Sequence, residues 1–287
     1  MLLGAHISVA GGYDKALDYA LEVGCECTQI FAKSPRQWRG PKIDPMAAEA
    51  FREARDARGF GPVFTHTAYL INPATPNPEL REKSIAALAD ELARGSLLGA
   101  TGVVTHIGND PEEDPEAAAR RVADACVRSF DLAGGDTCHT RLLLENTAGA
   151  GHTFGSTFEQ LGACIAASGL PPERLGVCLD TCHAFAFGFP VDSANGWREV
   201  LDSIEACCGM DRLGLVHAND CLFERGSRRD RHAWIGDGFI GVDGFSAMVC
   251  APRLADVCAI TEMPGDVPIK DTENLRRLRA LREACAG

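Results

Sequence analysis

Nine side chains of the kinds that hold divalent cations recur along this chain at related places. His66, His106, Glu145, Asp180, His217 and Glu262 close the short apolar runs Val63–His66, Val103–His106, Leu142–Glu145, Val177–Asp180, Leu213–His217 and Val257–Glu262. His183 comes just after Asp180, and Asp230 and His232 lie in the segment after His217. Imidazole nitrogen and carboxylate oxygen together suit zinc or a similar ion. A catalytic zinc takes about three protein ligands and leaves room for water, so this set suffices for three ions if a carboxylate bridges. Ions roughly 3.5–4 Å apart serve phosphodiester or peptide hydrolysis, in which attacking and leaving oxygens both need charge stabilisation. A single histidine at a strand end is ordinarily just a hydrogen-bonded polar residue. Six of the eight histidines falling at or beyond the same ends of these runs is a different matter. His6 closes the first apolar run and is expected to line the same cleft without binding metal; His139 and His152 fall outside the pattern. No serine nucleophile, phosphate-binding loop or dinucleotide glycine motif competes for the catalytic role.

Something must bring these residues together. Short continuous apolar runs are the signature of parallel strands buried on both faces. They fall near 2–7, 28–32, 62–66, 102–106, 141–145, 175–180, 213–218 and 257–262. Helix-like segments alternate with them near 13–23, 45–57, 79–98, 115–133, 156–168, 193–208, 242–250 and 271–284. Gly24, Gly59, Gly99, Gly134 and Gly169 stand where helices should stop. Asp271, with Asn274 three residues on and Leu275, Leu278 and Leu281 following, reads as the cap of the last amphipathic helix. Eight β-α units without a composition break predict an α/β fold: one (β/α)8 TIM barrel over residues 1–287, with the metal site at the C-terminal face of the strands.

The longest β-to-α connections are 33–44, 67–78 and 219–241. Lys33, Arg36, Arg39 and Lys42 sit in the first, Tyr69 in the second, and Arg225, Arg228, Arg229 and Arg231 in the third. Loops on that face of a barrel carry substrate contacts. Basic loops beside a metal cluster point to a polyanionic substrate. The net charge of −12 alone argues against nucleic acid, but bound cations would reverse the sign where a phosphate arrives.

A composition 46% hydrophobic and 24% charged fits a globular protein. The first residues lack a basic export region and no run reaches the ~18 apolar residues of a membrane helix. A cytoplasmic, monomeric protein without membrane partners is expected. The thirteen cysteines, an odd number, read as reduced thiols, several of them buried, and their spacings do not fit a cysteine zinc site.

The motifs carry a resemblance from end to end. The strings are Gly4-Ala5-His6-Ile7-Ser8 with Gly11-Gly12, Arg36-Gln37-Trp38-Arg39, His66-x-x-Tyr69-Leu70-Ile71-Asn72, Leu144-Glu145-Asn146-Thr147-Ala148-Gly149, Asp180-Thr181-Cys182-His183 and Asp230-Arg231-His232. Together they resemble endonuclease IV, the metal-dependent apurinic/apyrimidinic endonuclease family of DNA base-excision repair. The resemblance implies a first zinc on His66, His106 and Glu145. It implies a second on Glu145, Asp180, His217 and Glu262, and a third on His183, Asp230 and His232, with manganese able to take one place. It implies that a hydroxide bridging two ions attacks the phosphate 5′ to an abasic site in double-stranded DNA. The products would be a 3′-hydroxyl and a 5′-deoxyribose phosphate, with 3′-end trimming as a further activity. Glu145 is the implied catalytic bridge, and Arg36, Gln37, Tyr69, Arg228 and Arg231 the implied DNA contacts. The chain departs from the family pattern at Ile107, where proline is usual, and at Cys221-Leu222-Phe223, where serine and lysine are usual. It departs again at Thr261-Glu262-Met263, where threonine normally follows the glutamate. Two other readings are a xylose-isomerase-like sugar isomerase or epimerase, and a catalytically silent binder of damaged DNA. The His183, Asp230 and His232 trio exceeds what the first needs, and the complete ligand set argues against the second.

Overall fold

The structure, a computed structural model, describes residues 1–285. Its strands are β1 (Leu2–Ile7), β2 (Cys27–Phe31), β3 (Val63–His66), β4 (Gly102–His106), β5 (Arg141–Glu145), β6 (Leu175–Asp180), β7 (Leu213–His217), β8 (Asp220–Cys221), β9 (His232–Ala233) and β10 (Cys258–Thr261). Eight of them close a parallel barrel in the order β1-β10-β7-β6-β5-β4-β3-β2, while β8 and β9 pair as a small antiparallel hairpin after β7. The (β/α)8 TIM barrel expected from the sequence is therefore the fold. The helices are α1 (Tyr13–Glu22), α2 (Pro45–Ala57), α3 (Pro78–Leu97), α4 (Pro115–Leu132), α5 (Phe158–Ser168), α6 (Thr181–Phe187), α7 (Ala194–Cys207), α8 (Gly241–Cys250) and α9 (Ile269–Ala284).

Local chemistry explains why the helices begin where they do. Asp44-Pro45, Asn77-Pro78 and Asp114-Pro115 place a side-chain acceptor at the N-cap and a proline at the first helical position. Gly169 ends α5 with a φ of 64°, a conformation open to glycine at little cost. Asp271 behaves differently from expectation. It lies inside α9, buried, where it accepts the Tyr19 hydroxyl at 2.7 Å, and α9 starts two residues earlier after Pro268 without a side-chain cap. Asn274 likewise turns inward and accepts the Ile235 N–H at 2.7 Å.

Three apolar clusters fix the barrel. Inside it, Cys27, Phe64, Val104, Leu143, Cys178, Leu215, Cys258 and Ile260 fill the lumen. Between strands and helices one cluster includes Leu88, Leu92, Val103, Leu142, Phe158, Trp197 and Phe245, and a separate one includes Leu17, Ile30, Phe51 and Val63. Parallel register aligns the strand ends, with His106 opposite Glu145 and Asp180 opposite His217. That alignment places strand-terminal residues at one height. No helix among the described residues is long and apolar enough to cross a membrane.

The expectation of uniformly reduced thiols is corrected at one place. Cys250 ends α8 and Cys285 follows α9, and a disulfide joins them across 35 residues of sequence. Ten of the eleven other cysteines are buried and free. Closing a loop of that length restricts the unfolded chain by up to about 4 kcal/mol. Cys285→Ser, or treatment with a thiol reductant, should lower Tm by roughly 5–10 °C. Thermal denaturation with and without reductant checks this, and an unchanged Tm would contradict it.

Candidate metal centre

His66, His106, Glu145, Asp180 and His217 are the last residues of β3, β4, β5, β6 and β7, and Glu262 lies one residue beyond β10. Asp180 also caps α6, its Oδ1 accepting the His183 N–H at 2.7 Å, so the cap brings His183 back over the barrel mouth. The β8–β9 hairpin delivers Asp230 and His232. All nine candidates converge.

Glu145 stands at the centre, almost fully buried. Its Oε2 lies 3.1 Å from His66 Nε2 and 3.0 Å from His106 Nε2, and its Oε1 is 3.3 Å from Nδ1 of both His183 and His217. Glu262 Oε2 is 3.3 Å from His217 Nδ1. Asp230 spans His183 Nε2 at 3.2 Å and His232 Nε2 at 3.3 Å. Among the described residues four groups have ligand atoms within 4.8 Å of one another, three of them made of imidazoles and carboxylates alone: His66, His106 and Glu145; Glu145, Asp180 and His217; and His183, Asp230 and His232. Glu145 belongs to two of them.

The second nitrogen of each ring tests whether these groups suit cations. His66 Nδ1 faces the Thr67 carbonyl at 2.8 Å, His183 Nδ1 the Asn146 carbonyl at 2.9 Å, and His232 Nδ1 the Glu262 carbonyl at 2.9 Å. His217 Nε2 faces Gln29 Oε1 at 2.9 Å. An oxygen acceptor on one nitrogen fixes that N–H and leaves the other nitrogen's lone pair pointing into the cluster, as in metal-ligating histidines. His232 Nε2 is buried and has no hydrogen-bond partner. The donors fit divalent cations.

Charge within the cluster tells the same story. Burial tends to neutralise His183 and His217, but the carboxylates around them prevail and hold both well above the usual imidazole range. His66 is raised in the same way, and His232 is pushed up to about 9 despite burial, chiefly by Asp230 and Asp180. Burial works to raise Glu145 and Glu262, yet facing imidazoles hold both well below the ordinary carboxylate range. Imidazoles and carboxylates thus favour each other's charged forms across the cluster.

A further set of amides, not anticipated as site residues, holds the ligands in place. Gln29, fully buried in β2, donates to Glu262 Oε1 at 2.8 Å while its oxygen meets His217. Asn219 donates to Asp180 Oδ2 at 2.7 Å and Glu262 Oε2 at 3.3 Å, and its oxygen accepts the Glu262 N–H at 2.8 Å. Asn146 accepts the Asp180 N–H at 2.7 Å. An amide in the middle of an apolar strand was the available signal for Gln29. His6 lines the cleft as expected, with Nδ1 3.0 Å from Glu262 Oε1. His152 lies at the surface against Glu113. Cys182 Sγ comes within 4.8 Å of Asp180 and His232 ligand atoms. A hydrogen bond with Cys221 and burial push its thiol up.

The loops divide the sequence's basic residues into two groups. Arg36 and Gln37 are exposed in the β2–α2 loop, and the Pro35 carbonyl there accepts the Tyr69 N–H at 3.0 Å. Tyr69 is 59% exposed, with its ring 5.8 Å from that of His66 and 6.0 Å from that of His106. Arg228, exposed with a φ of 55°, lies over Phe187, and Arg231 is exposed beside Asp230. Lys33 departs from the expected basic surface. It is buried against α3, 2.8 Å from Asp90 and 3.4 Å from Glu91, so it pins its loop rather than facing a ligand. Arg225 is engaged by Asp192 at 3.5 Å.

A family profile described as a xylose isomerase-like TIM barrel matches residues 17–284. A "probable endonuclease 4" of Methanoculleus marisnigri is 44% identical over 285 residues, covering 99% of this chain and all of the relative. Another from Chloroflexus aurantiacus is 44% identical over 97% of both chains. The crystal structure of endonuclease IV from Thermus thermophilus superposes with a TM-score of 0.87 at 40% identity, covering 99% of this chain and 100% of that one. A D-tagatose 3-epimerase-like protein, 19% identical with a TM-score of 0.73, shares the fold alone. With full-length relatives at this identity, the chain belongs to the endonuclease IV family.

Proposed function

We propose that the whole chain, residues 1–287, works as one catalytic domain: a zinc-dependent apurinic/apyrimidinic endonuclease of base-excision repair. It acts in the cytoplasm as a monomer on double-stranded DNA containing abasic sites. The bond cut is the phosphodiester 5′ to the abasic sugar, leaving a 3′-hydroxyl and a 5′-deoxyribose phosphate, and the same site trims blocked 3′ ends. The observation that carries this reading is the convergence of nine imidazole and carboxylate ligands, with four of the five rings locked by oxygen acceptors on their far nitrogens.

In this reading His66, His106 and Glu145 hold one ion, and Glu145, Asp180, His217 and Glu262 a second. His183, Asp230 and His232 hold a third; zinc suits all three places and manganese one of them. Divalent ions, when bound, supply positive charge to the phosphate and lower the pKa of water toward neutrality. Glu145 ties two of the groups through its two oxygens. Gln29, Asn219 and His6 keep Glu262 from rotating, and Gln29 and Asn219 also orient His217 and Asp180. Buried ligands with fixed partners cost little reorganisation during reaction. Tyr69, at the mouth of the cluster, presents a flat face to an extrahelical sugar, and Arg36 and Gln37 reach the duplex from the neighbouring loop. Arg228 and Arg231 contribute phosphate contacts on the opposite side. A nucleotide without a base leaves the stack at lower cost than an intact one.

Incision of a duplex bearing one synthetic abasic site tests the reading, with an undamaged duplex and a ketohexose offered in parallel. Cleavage of the abasic duplex alone supports it, and turnover of the sugar with no incision would replace it. Arg36→Ala should weaken binding of the abasic duplex about ten-fold, or about 1.4 kcal/mol, with bound metal unchanged. Fluorescence anisotropy and metal analysis on the same preparation check both parts. A loss of metal in that variant would contradict the assignment.

A further inference from the structure

The hairpin carrying Asp230 and His232 has two residues in each strand, pairing only Asp220 with Ala233 and Cys221 with His232. A pairing so short does not hold itself in water. Asp230 is half exposed, so its placement depends on the segment that carries it.

At the root of that segment lies Asp220, fully buried. Its Oδ1 accepts the N–H of Cys221 at 2.8 Å and of Ile240 at 3.0 Å. Its Oδ2 accepts the N–H of Gly236 at 2.9 Å and of Gly238 at 3.0 Å. The Gly241 N–H lies 3.4 Å from the first oxygen and 3.3 Å from the second. These donors come from both ends of the 221–241 segment, with Asp230 and His232 between them. Charge-assisted bonds of this kind are about twice as strong as neutral ones. The backbone also packs closely around the carboxylate: a Cβ added at Gly238 would lie 2.5 Å from Asp220 Oδ1. Asn219 and Asp220 thus split two tasks, the first orienting ligands on β6 and β10 and the second tying down a loop.

We propose that Asp220 is a positioning residue for the His183, Asp230 and His232 trio, acting as a clamp that closes the 221–241 segment and seats two of its ligands. The proposal rests on the metal-site reading above and adds a residue that is not itself a ligand. Asp220 shapes the site by holding both ends of the segment in register. The remaining ligands stand on barrel strands, on α6 and, for Glu262, just beyond β10, and the hydrogen bonds of the Asp220 carboxylate all go to the 221–241 backbone.

The test uses Asp220→Asn, which keeps the shape but removes the charge and one acceptor oxygen. Wild type and variant are dialysed against the same low free zinc and their bound metal is counted. Wild type should hold close to three ions and the variant close to two, with affinity at the lost site weakened ~10-fold or more. Trypsin should cut the variant faster after Arg225, Arg228, Arg229 and Arg231 while the rest of the chain resists. Added zinc should restore kcat with KM little changed, a rescue that general damage to the fold would not show. Should Asp220→Asn fail to fold, Gly238→Ala presses on the same clamp and is read in the same way. A variant holding three ions at wild-type affinity, with its loop intact, overturns the proposal. Loss of all three ions together with unfolding, in both variants, also overturns it, because Asp220 would then support the barrel and not the trio. A wild type that never holds three ions overturns the metal-site reading, and the proposal with it.

Discussion

Glu145→Gln should reduce incision of an abasic duplex by on the order of 10³-fold while leaving the barrel folded. The carboxylate faces four imidazoles from four elements at 3.0–3.3 Å and is 1% exposed, so no water replaces its charge. Glutamine keeps the volume and the contacts of the side-chain stem. It removes the negative charge shared by two ligand groups and turns one acceptor into an N–H₂ aimed at histidine lone pairs. Bound metal should fall as well, because both groups that contain Glu145 are weakened. Steady-state incision, metal content and circular dichroism on one preparation check the three parts. A folded variant that still incises within ten-fold of wild type would remove Glu145 from the centre of the account.

The metal-free protein should lose stability as the pH rises from about 6.5 to 9, whereas the loaded protein should not. The histidines explain the sign. Burial opposes their charge, but the carboxylates prevail and raise His66, His183 and His217, with His232 reaching about 9. A group whose pKa is higher in the folded state contributes stability below its unfolded pKa of about 6.5 and loses it as pH climbs through the folded value. At about 1.4 kcal/mol per pH unit, His232 alone accounts for about 3 kcal/mol across that window. The corresponding fall in Tm is roughly 6–12 °C. Bound cations take the place of those protons, so the loaded protein gains stability up to about pH 6.5 and then levels off. Thermal denaturation at several pH values, with and without chelator, separates the two slopes. Parallel curves would mean that the histidines do not hold protons in place of metal.

The ligand cluster was legible because strand ends are. Continuous apolar runs bounded by a single polar residue gave β3 through β7 nearly to the residue, and parallel register did the rest by setting those ends at one height. Other features depend on context that no run of residues carries. Helix α6 is seven residues long and exists because Asp180 caps it, so the Asp-Thr-Cys-His string reads as ligands before it reads as a helix. The β8–β9 hairpin is held by a buried carboxylate and has almost no pattern of its own. Lys33 resembles its exposed neighbours in sequence, and only α3, arriving from 57 residues away, shows that Asp90 claims it. Asp271 has the right type and spacing for a cap, but Tyr19 reaches it from the other end of the chain. Gln29 was missed because one amide in an apolar strand looks incidental until His217 and Glu262 are seen on either side of it.

The most direct measurement follows one preparation through chelation and reloading. Metals are counted, a duplex with a single synthetic abasic site is offered at each stage, and the product ends are mapped. The account predicts close to three ions per chain, cleavage 5′ to the lesion leaving a 3′-hydroxyl, loss of cleavage with the chelator and its return with zinc. Incision that survives complete removal of metal, or a loaded protein that leaves the abasic duplex whole, would contradict it.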